Sequence, residues 1–492
     1  MCKINYVFYK KIDLIINKIL KTKMDPLFNI DLFRYINEYT DLRSLCDTSV
    51  LFATLKQYIH YKLNDDYSFM YYDDISFRNR VLSKIYNPYK QLRLDLSWCL
   101  NIENVSALGN VHTLNLSLCD NIEDVSALGK VHNLNLSFCK NIKDVSALGN
   151  VHTLNLARCH ITDVSALGKV HNLNLHGCIN IKDVSALGKV HNLNLSGCNI
   201  TDVSALGKVH TLDLSLCKNI TDISALGNCH TLNLYGCKNI TDVSALGNVH
   251  TLNLARCDNI EDVSALGKVH NLNLHGCINI KDVSALGKVH TLNLAQCHIT
   301  DVSALGKVYY LDLHGCINIK DVSALGKVHT LDLSGCNITD VSALGNVYNL
   351  DLSECDDIED VSALGKVYKL NLSMCRKIKD VSALGNVHIL KLQACTISDV
   401  SALGNVHTLN LSNCDNVEDV SALGKVHNLD LSCCLNIEDV SALSKVHKLD
   451  LQGCLNIKDV SALGNVHNLT DHYITNITIS DIMALNLFDV HY

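Results

Sequence analysis

From about Leu92 to Leu469 the chain repeats one unit, typified by LNLSLCDNIEDVSALGKVHN, and nineteen cysteines from Cys99 to Cys454 mark its phase. Of the eighteen intervals between them, thirteen are twenty residues and five are nineteen. A unit this short cannot bury its own apolar side chains. It must bury them against the units before and after it, which makes the chain a solenoid. This constraint overrides the roughly three domains that a length of 492 residues would otherwise suggest.

Within one unit the apolar positions run Leu114, Leu116, Cys119, Ile122, Val125, Leu128, Val131 and Leu134. The two-residue step is a short strand with both leucines facing one way, and the three-residue steps are turns. Asp124 is placed to cap a single helical or 3₁₀ turn, with Gly129 expected to close it in a left-handed conformation. The nineteen-residue units drop one residue after the cysteine, as in Cys198-Asn199-Ile200-Thr201-Asp202. This pattern resembles the leucine-rich repeat, L-x-x-L-x-L-x-x-N/C-x-L, in its short variety with Cys in the Asn position. That resemblance implies an α/β solenoid, a horseshoe of about nineteen repeats with a parallel concave sheet. Residues 92–469 are then the solenoid, and 470–492, with the degraded Asp481-Ile482-Met483-Ala484-Leu485, a closing repeat.

The totals of 23 Cys and 24 His suggest metal or thiol chemistry until spacing is considered. A file of in-register thiols points in parallel, whereas a disulfide needs a crossed dihedral and zinc needs four converging ligands. Sixteen histidines share one column, His112 through His467, where Tyr309, Tyr348 and Tyr368 replace three of them. Both columns therefore read as packing, and no metal or cofactor is expected. Stacked histidines about 5 Å apart should depress one another's pKa, giving a fold that loses stability as pH falls.

Other functional classes find little support. No run of 18 apolar residues spans a membrane, and Asp13, Asn17 and Lys18 interrupt the apolar N-terminus, so an intracellular, cytoplasmic chain is expected. A net charge of −8 argues against a nucleic-acid binder, and Lys130, Lys169, Lys189 and Lys208 read as a dispersed solubilising row. No nucleotide, zinc-protease or serine-hydrolase motif occurs, and acids that recur in every unit are not a singular catalytic pair, so no enzyme is expected.

Variation concentrates just before the ladder cysteine. Trp98, Leu118, Phe138, Arg158 and Arg256 are the candidate target-binding residues, because Trp and Arg are frequent binding anchors. For the Trp98–Leu118–Phe138 file two readings stand: residues 65–90 cover it as an N-terminal cap, the favoured one, or it is open to a partner.

Residues 24–64 differ in kind from the repeats, and 1–23 form a basic extension, with Met24 an alternative start. Pro26 opens a helix carrying Leu32, Tyr35, Ile36 and Tyr39; Asp41 caps a second with Leu42 and Leu45; Phe52 begins a third. The spacing from Pro26 to Asp41-Leu42 resembles the F-box, although Asp25 stands where that motif has Leu. Together with the repeats, the chain is similar to the F-box/leucine-rich-repeat proteins of giant amoeba-infecting viruses. The resemblance implies a substrate receptor of a Skp–cullin–F-box ubiquitin ligase in the host cytoplasm. Pro26, Leu27, Ile30, Leu32, Leu42 and Leu45 would dock the Skp adaptor, and the repeats would hold a target protein. The alternative is a repeat scaffold with no ubiquitin link. Residues 65–91 are read as linker and cap.

Overall fold

The computed structural model describes residues 61–85 and 91–470. The Asp41-capped helix, the rest of the F-box-like segment before Tyr61, and the closing segment after Thr470 lie outside them. The chain divides into two compact units, one ending at Cys159 and one beginning at His160.

In the first unit, strand β1 (Tyr61–Lys62) pairs in parallel with β2 (Leu92–Asp95), Tyr61 opposite Leu92. β2 leads on to β3 (Thr113–Asn115), β4 (Asn133–Asn135) and β5 (Thr153–Asn155), all parallel. Between β1 and β2 lie helices α1 (Asp65–Asp73) and α2 (Ile75–Lys84). Each begins on a side-chain cap: Asn64 Oδ1 accepts from the Tyr67 amide at 2.9 Å, and Asp74 Oδ1 from the Ser76 amide at 2.7 Å. Tyr71 is fully buried, and the Asp95 amide donates to the Ser68 hydroxyl at 3.3 Å, so α1 seats on the first strand of the array. Residues 61–85 thus close the apolar end that the first repeat would otherwise expose.

The second unit carries sixteen three-residue strands from Asn172 to Thr470, parallel and in register, with leucine opposite leucine (Leu252 and Leu272, for instance). Each of these strands is preceded by a 3₁₀ turn on the Ser-Ala-Leu of the repeat, such as Ser244–Asn248 before Thr251. The core columns lie where the apolar spacing puts them. Leu114, Leu116, Cys119, Ile122, Val125, Leu128 and Val131 are all at most 1% exposed. Asp124 Oδ1 accepts from the Ser126 amide at 2.8 Å, and the same bond recurs along the array, at 2.8 Å from Ser264 to Asp262.

Gly129 corrects an expectation. Its φ is −61°, in the ordinary right-handed region, so no left-handed closure takes place. Glycine is required here by space: a Cβ would sit 2.3 Å from the Ala147 carbonyl oxygen of the next turn. Neighbouring turns approach so closely that the side chain has nowhere to go.

Candidate interaction surface

The left-handed conformation occurs elsewhere, in the column immediately before the ladder cysteine. All nineteen residues there have positive φ; seven are glycine and twelve are not, among them Trp98 (65°), Leu118 (64°), Phe138 (63°), Arg158 (58°) and Arg256 (58°). For a side-chain-bearing residue this conformation costs roughly 1–2 kcal/mol. The turn imposes it, because amides of this column reach a carbonyl of the following repeat: Trp98 N–H donates to the Ser117 oxygen at 2.9 Å, and Gly236 N–H to the Ala255 oxygen at 2.9 Å.

Large side chains in this column follow a rule. Ser97, Ser117, Ser137 and Ala157 precede Trp98, Leu118, Phe138 and Arg158; where the preceding residue is large, as at His176, Tyr235, His275 and His314, glycine follows, or at Gln393 the small Ala394. A large residue also leans over the same position of the next unit. A Cβ on Gly236 would lie 2.9 Å from Leu216 Cδ2, and one on Gly276 3.4 Å from Arg256 Cγ. From Gly197 to Gly315 large residues therefore alternate with glycine, whereas Glu354, Met374, Ala394, Asn413 and Cys433 follow one another further along. Arg256 stands between Gly236 and Gly276, isolated in its column.

The first unit has no glycine in this column, and four large residues follow one another. Trp98 is 71% exposed, Phe138 37%, and Leu100, two residues beyond Trp98, 57%. Leu118 is half-buried and Arg158 exposed. The Arg158 guanidinium carbon stands 5.6 Å from the centroid of the Phe138 ring, a cation–π contact. Of the segment expected to cover this file, α1 seats on β2 and leaves Trp98 71% exposed, while residues 86–90 lie outside the described residues.

The cysteine, histidine and strand-face polar columns make internal contacts, whereas the residue after the ladder cysteine is exposed where it is apolar, as at Leu100, Ile179, Ile317 and Leu455. Ladder thiols donate to a leucine carbonyl of the preceding unit, Cys119 to Leu96 at 3.2 Å and Cys237 to Leu214 at 3.1 Å. Burial pushes both thiols up to about 12, so neither ionises near neutrality. All described cysteines are free; Cys433 is exposed, Cys99 half-buried and the others buried. Histidine rings stack at centroid distances such as 4.7 Å for His210–His230, and the substituting Tyr309 continues the stack at 4.4 Å from His329. On the strand face, Asn115 Nδ2 donates to Asp95 at 2.9 Å and Asn371 Nδ2 to Asp351 at 2.9 Å, so these polar groups face one another along the array.

Among the described residues, no group of three or more His, Cys, Asp or Glu is placed to hold a metal ion, and no helix is long and apolar enough to cross a membrane. The lysines at 169, 189 and 208 line an open groove along the 3₁₀ turns together with Ser165, Ala166 and Gly168. Pro26, Leu27, Ile30, Leu32, Leu42 and Leu45 lie outside the described residues. The column's left-handed backbone was not deduced from the sequence, although a signal existed: seven glycines share a column with tryptophan and phenylalanine.

The family model for the leucine-rich repeat matches residues 189–207 and 327–344. No curated protein matches the chain. Among solved structures, the chain is similar to the internalin InlF of Listeria monocytogenes, with 21% identity, 62% of this chain and 82% of that one covered, and a TM-score of 0.36. It is also similar to the functional domain of InlJ from the same organism, which includes a cysteine ladder (21% identity, 71% and 70% covered, TM-score 0.34). A leucine-rich-repeat protein of Leptospira interrogans gives 18% identity, 68% and 95% covered, and a TM-score of 0.48.

Proposed function

We propose that this leucine-rich-repeat protein is a non-catalytic protein-binding scaffold that acts as the substrate receptor of a Skp-type ubiquitin ligase. In this reading the repeats hold a target protein, and residues 24–64 dock the adaptor through Pro26, Leu27, Ile30, Leu32, Leu42 and Leu45. Target binding is supported chiefly by one observation: Trp98, in a strained left-handed backbone, is 71% exposed beside Leu118, Phe138 and Arg158. Adaptor docking is supported by the F-box-like spacing alone. A tethered target near a ubiquitin-charged enzyme gains effective concentration without any chemistry from this chain.

The test is co-purification with a recombinant Skp-type adaptor. The full chain is expected to retain the adaptor, and the Leu42→Lys, Leu45→Lys double variant to lose it. Failure of the wild type to retain it, or equal retention by the variant, removes the ligase role and leaves a repeat scaffold with no ubiquitin link. The setting proposed is the host-cell cytoplasm.

A further inference from the structure

We infer that the turn edge of the first unit is a docking site for an extended peptide that presents two apolar side chains followed by a carboxylate. The inference rests on the target-binding reading above and specifies the chemistry of the partner.

Three observations carry it. First, the file is apolar and open along Trp98, Leu100, Leu118 and Phe138, and it ends on a cation, Arg158. Second, Arg158 has no acidic partner: among the described residues no carboxylate forms an ion pair with it, whereas nearby Lys140 is paired with Asp120 at 3.7 Å. Its guanidinium lies against Phe138 by one contact and keeps its donor edge for a partner. Third, these side chains are held where glycine is the unstrained choice, and seven other repeats do use glycine there. The fold therefore does not need them, and Trp98 in particular buries little.

The spacing selects the peptide. Strands of a parallel sheet repeat at about 4.8 Å, so three steps from Trp98 to Arg158 cover roughly 14 Å. In an extended chain, residues i, i+2 and i+4 share a face and span about 13 Å. The sequence Leu-Ser-Phe-Ser-Glu thus sets its two apolar groups on the Trp98–Phe138 stretch and its carboxylate at Arg158.

Trp98 is the single tryptophan of the chain, so it reports on its own site. Titrating full-length protein with N-acetyl-Leu-Ser-Phe-Ser-Glu-amide is expected to shift the Trp98 emission to the blue and to saturate. With a fluorescein-labelled form of the peptide followed by anisotropy, Trp98→Gly is expected to weaken binding at least tenfold while leaving the melting temperature unchanged or higher. Arg158→Glu should weaken it similarly, and replacing the peptide's Glu by Lys should restore binding to that variant but not to the wild type.

The inference is overturned if the wild type gives no saturable shift, if Trp98→Gly binds equally well, or if the charge exchange fails to restore binding. It is also overturned if sedimentation velocity shows concentration-dependent self-association that Trp98→Gly abolishes, because the occupant is then a second copy of the chain. Adaptor capture is read in a separate experiment. Loss of either result leaves the other interpretable.

Discussion

Gly129 and Trp98 separate the two things a glycine can supply, space and a left-handed backbone. Gly129 has an unremarkable φ of −61° and no room for a Cβ, whereas Trp98 has a left-handed φ of 65° and ample room. Gly227 repeats the first situation, with a Cβ position 2.2 Å from the Ala245 carbonyl oxygen. Gly227→Ala is expected to destabilise the fold by about 1–3 kcal/mol, the usual cost of overpacking, as measured by chemical denaturation. The fold should survive, because Ser444 occupies the equivalent position with φ −56°. Reactivity also divides at this scale. Brief maleimide labelling of native protein, read by peptide mass spectrometry, should modify Cys433 first and Cys99 more slowly. Buried, hydrogen-bonded thiols such as Cys237 should react only after unfolding. Labelling of Cys237 at the rate of Cys433 would show that the ladder opens in the native state.

At the scale of the element, each 3₁₀ turn after the first, which starts on Asn104, starts on an aspartate, and each strand from Thr113–Asn115 onward is preceded by a ring of the His/Tyr column. Hydrogen bonds from the Ser126 amide and hydroxyl hold the Asp124 carboxyl below the usual carboxylate range, and Asp262 and Asp419 are held down in the same way. A depressed folded pKa gives stability that is complete above the unfolded value near 3.9 and is lost as pH falls through the folded value. Cooperative acid unfolding is therefore expected below pH 4, and Asp262→Asn should shift the melting temperature less at pH 3 than at pH 7. The ring column acts at higher pH. His210, His407 and His447 are lowered from the ordinary histidine value, first by partial desolvation in the stack and second by the like charge of their neighbours. Like charge, the cause expected from the spacing, is the second one here; desolvation comes first because each ring is covered by the rings stacked on it. Stability from this column is full above about 6.5 and declines as pH drops below it. Melting temperatures at pH 7.5 and 5.5 should differ, with the lower at pH 5.5, and equal values would remove the effect.

On the scale of the whole molecule, stability is shared between neighbours. Leu254 is fully buried between units like itself, and Leu254→Ala is expected to cost about 2–5 kcal/mol. Hydrogen exchange should then rise in the adjacent repeats and remain unchanged several units away. Removing residues 238–257 deletes one full period and returns every column to register, so a cooperative melt should persist. Removing only 248–257 places Leu252-type positions out of phase and should abolish it. Measured by circular dichroism, similar melts for the two deletions would contradict the nearest-neighbour account.

Much of this was legible in the residue pattern. The cysteine phase set the number of units, the two- and three-residue apolar steps named the core columns, and the DVSALG acid marked the turn. These are local or strictly periodic properties, and a twenty-residue period carries each of them unchanged from unit to unit. What the pattern did not hold was anything decided between units. Leaving Trp98 open depended on where α1 seats, which is on β2 through Ser68 and Asp95 and away from the turn edge. Assigning glycine its reason at 129 depended on a carbonyl eighteen residues away at Ala147. The left-handed column was hidden because twelve side-chain-bearing residues occupy it, held there by amides bonded to the following unit. By itself, then, the sequence determined a solenoid with thiols and rings used for packing. The tertiary structure alone decided which edge remains free to bind, because exposure and backbone sign are set by neighbours that one unit's residues do not specify.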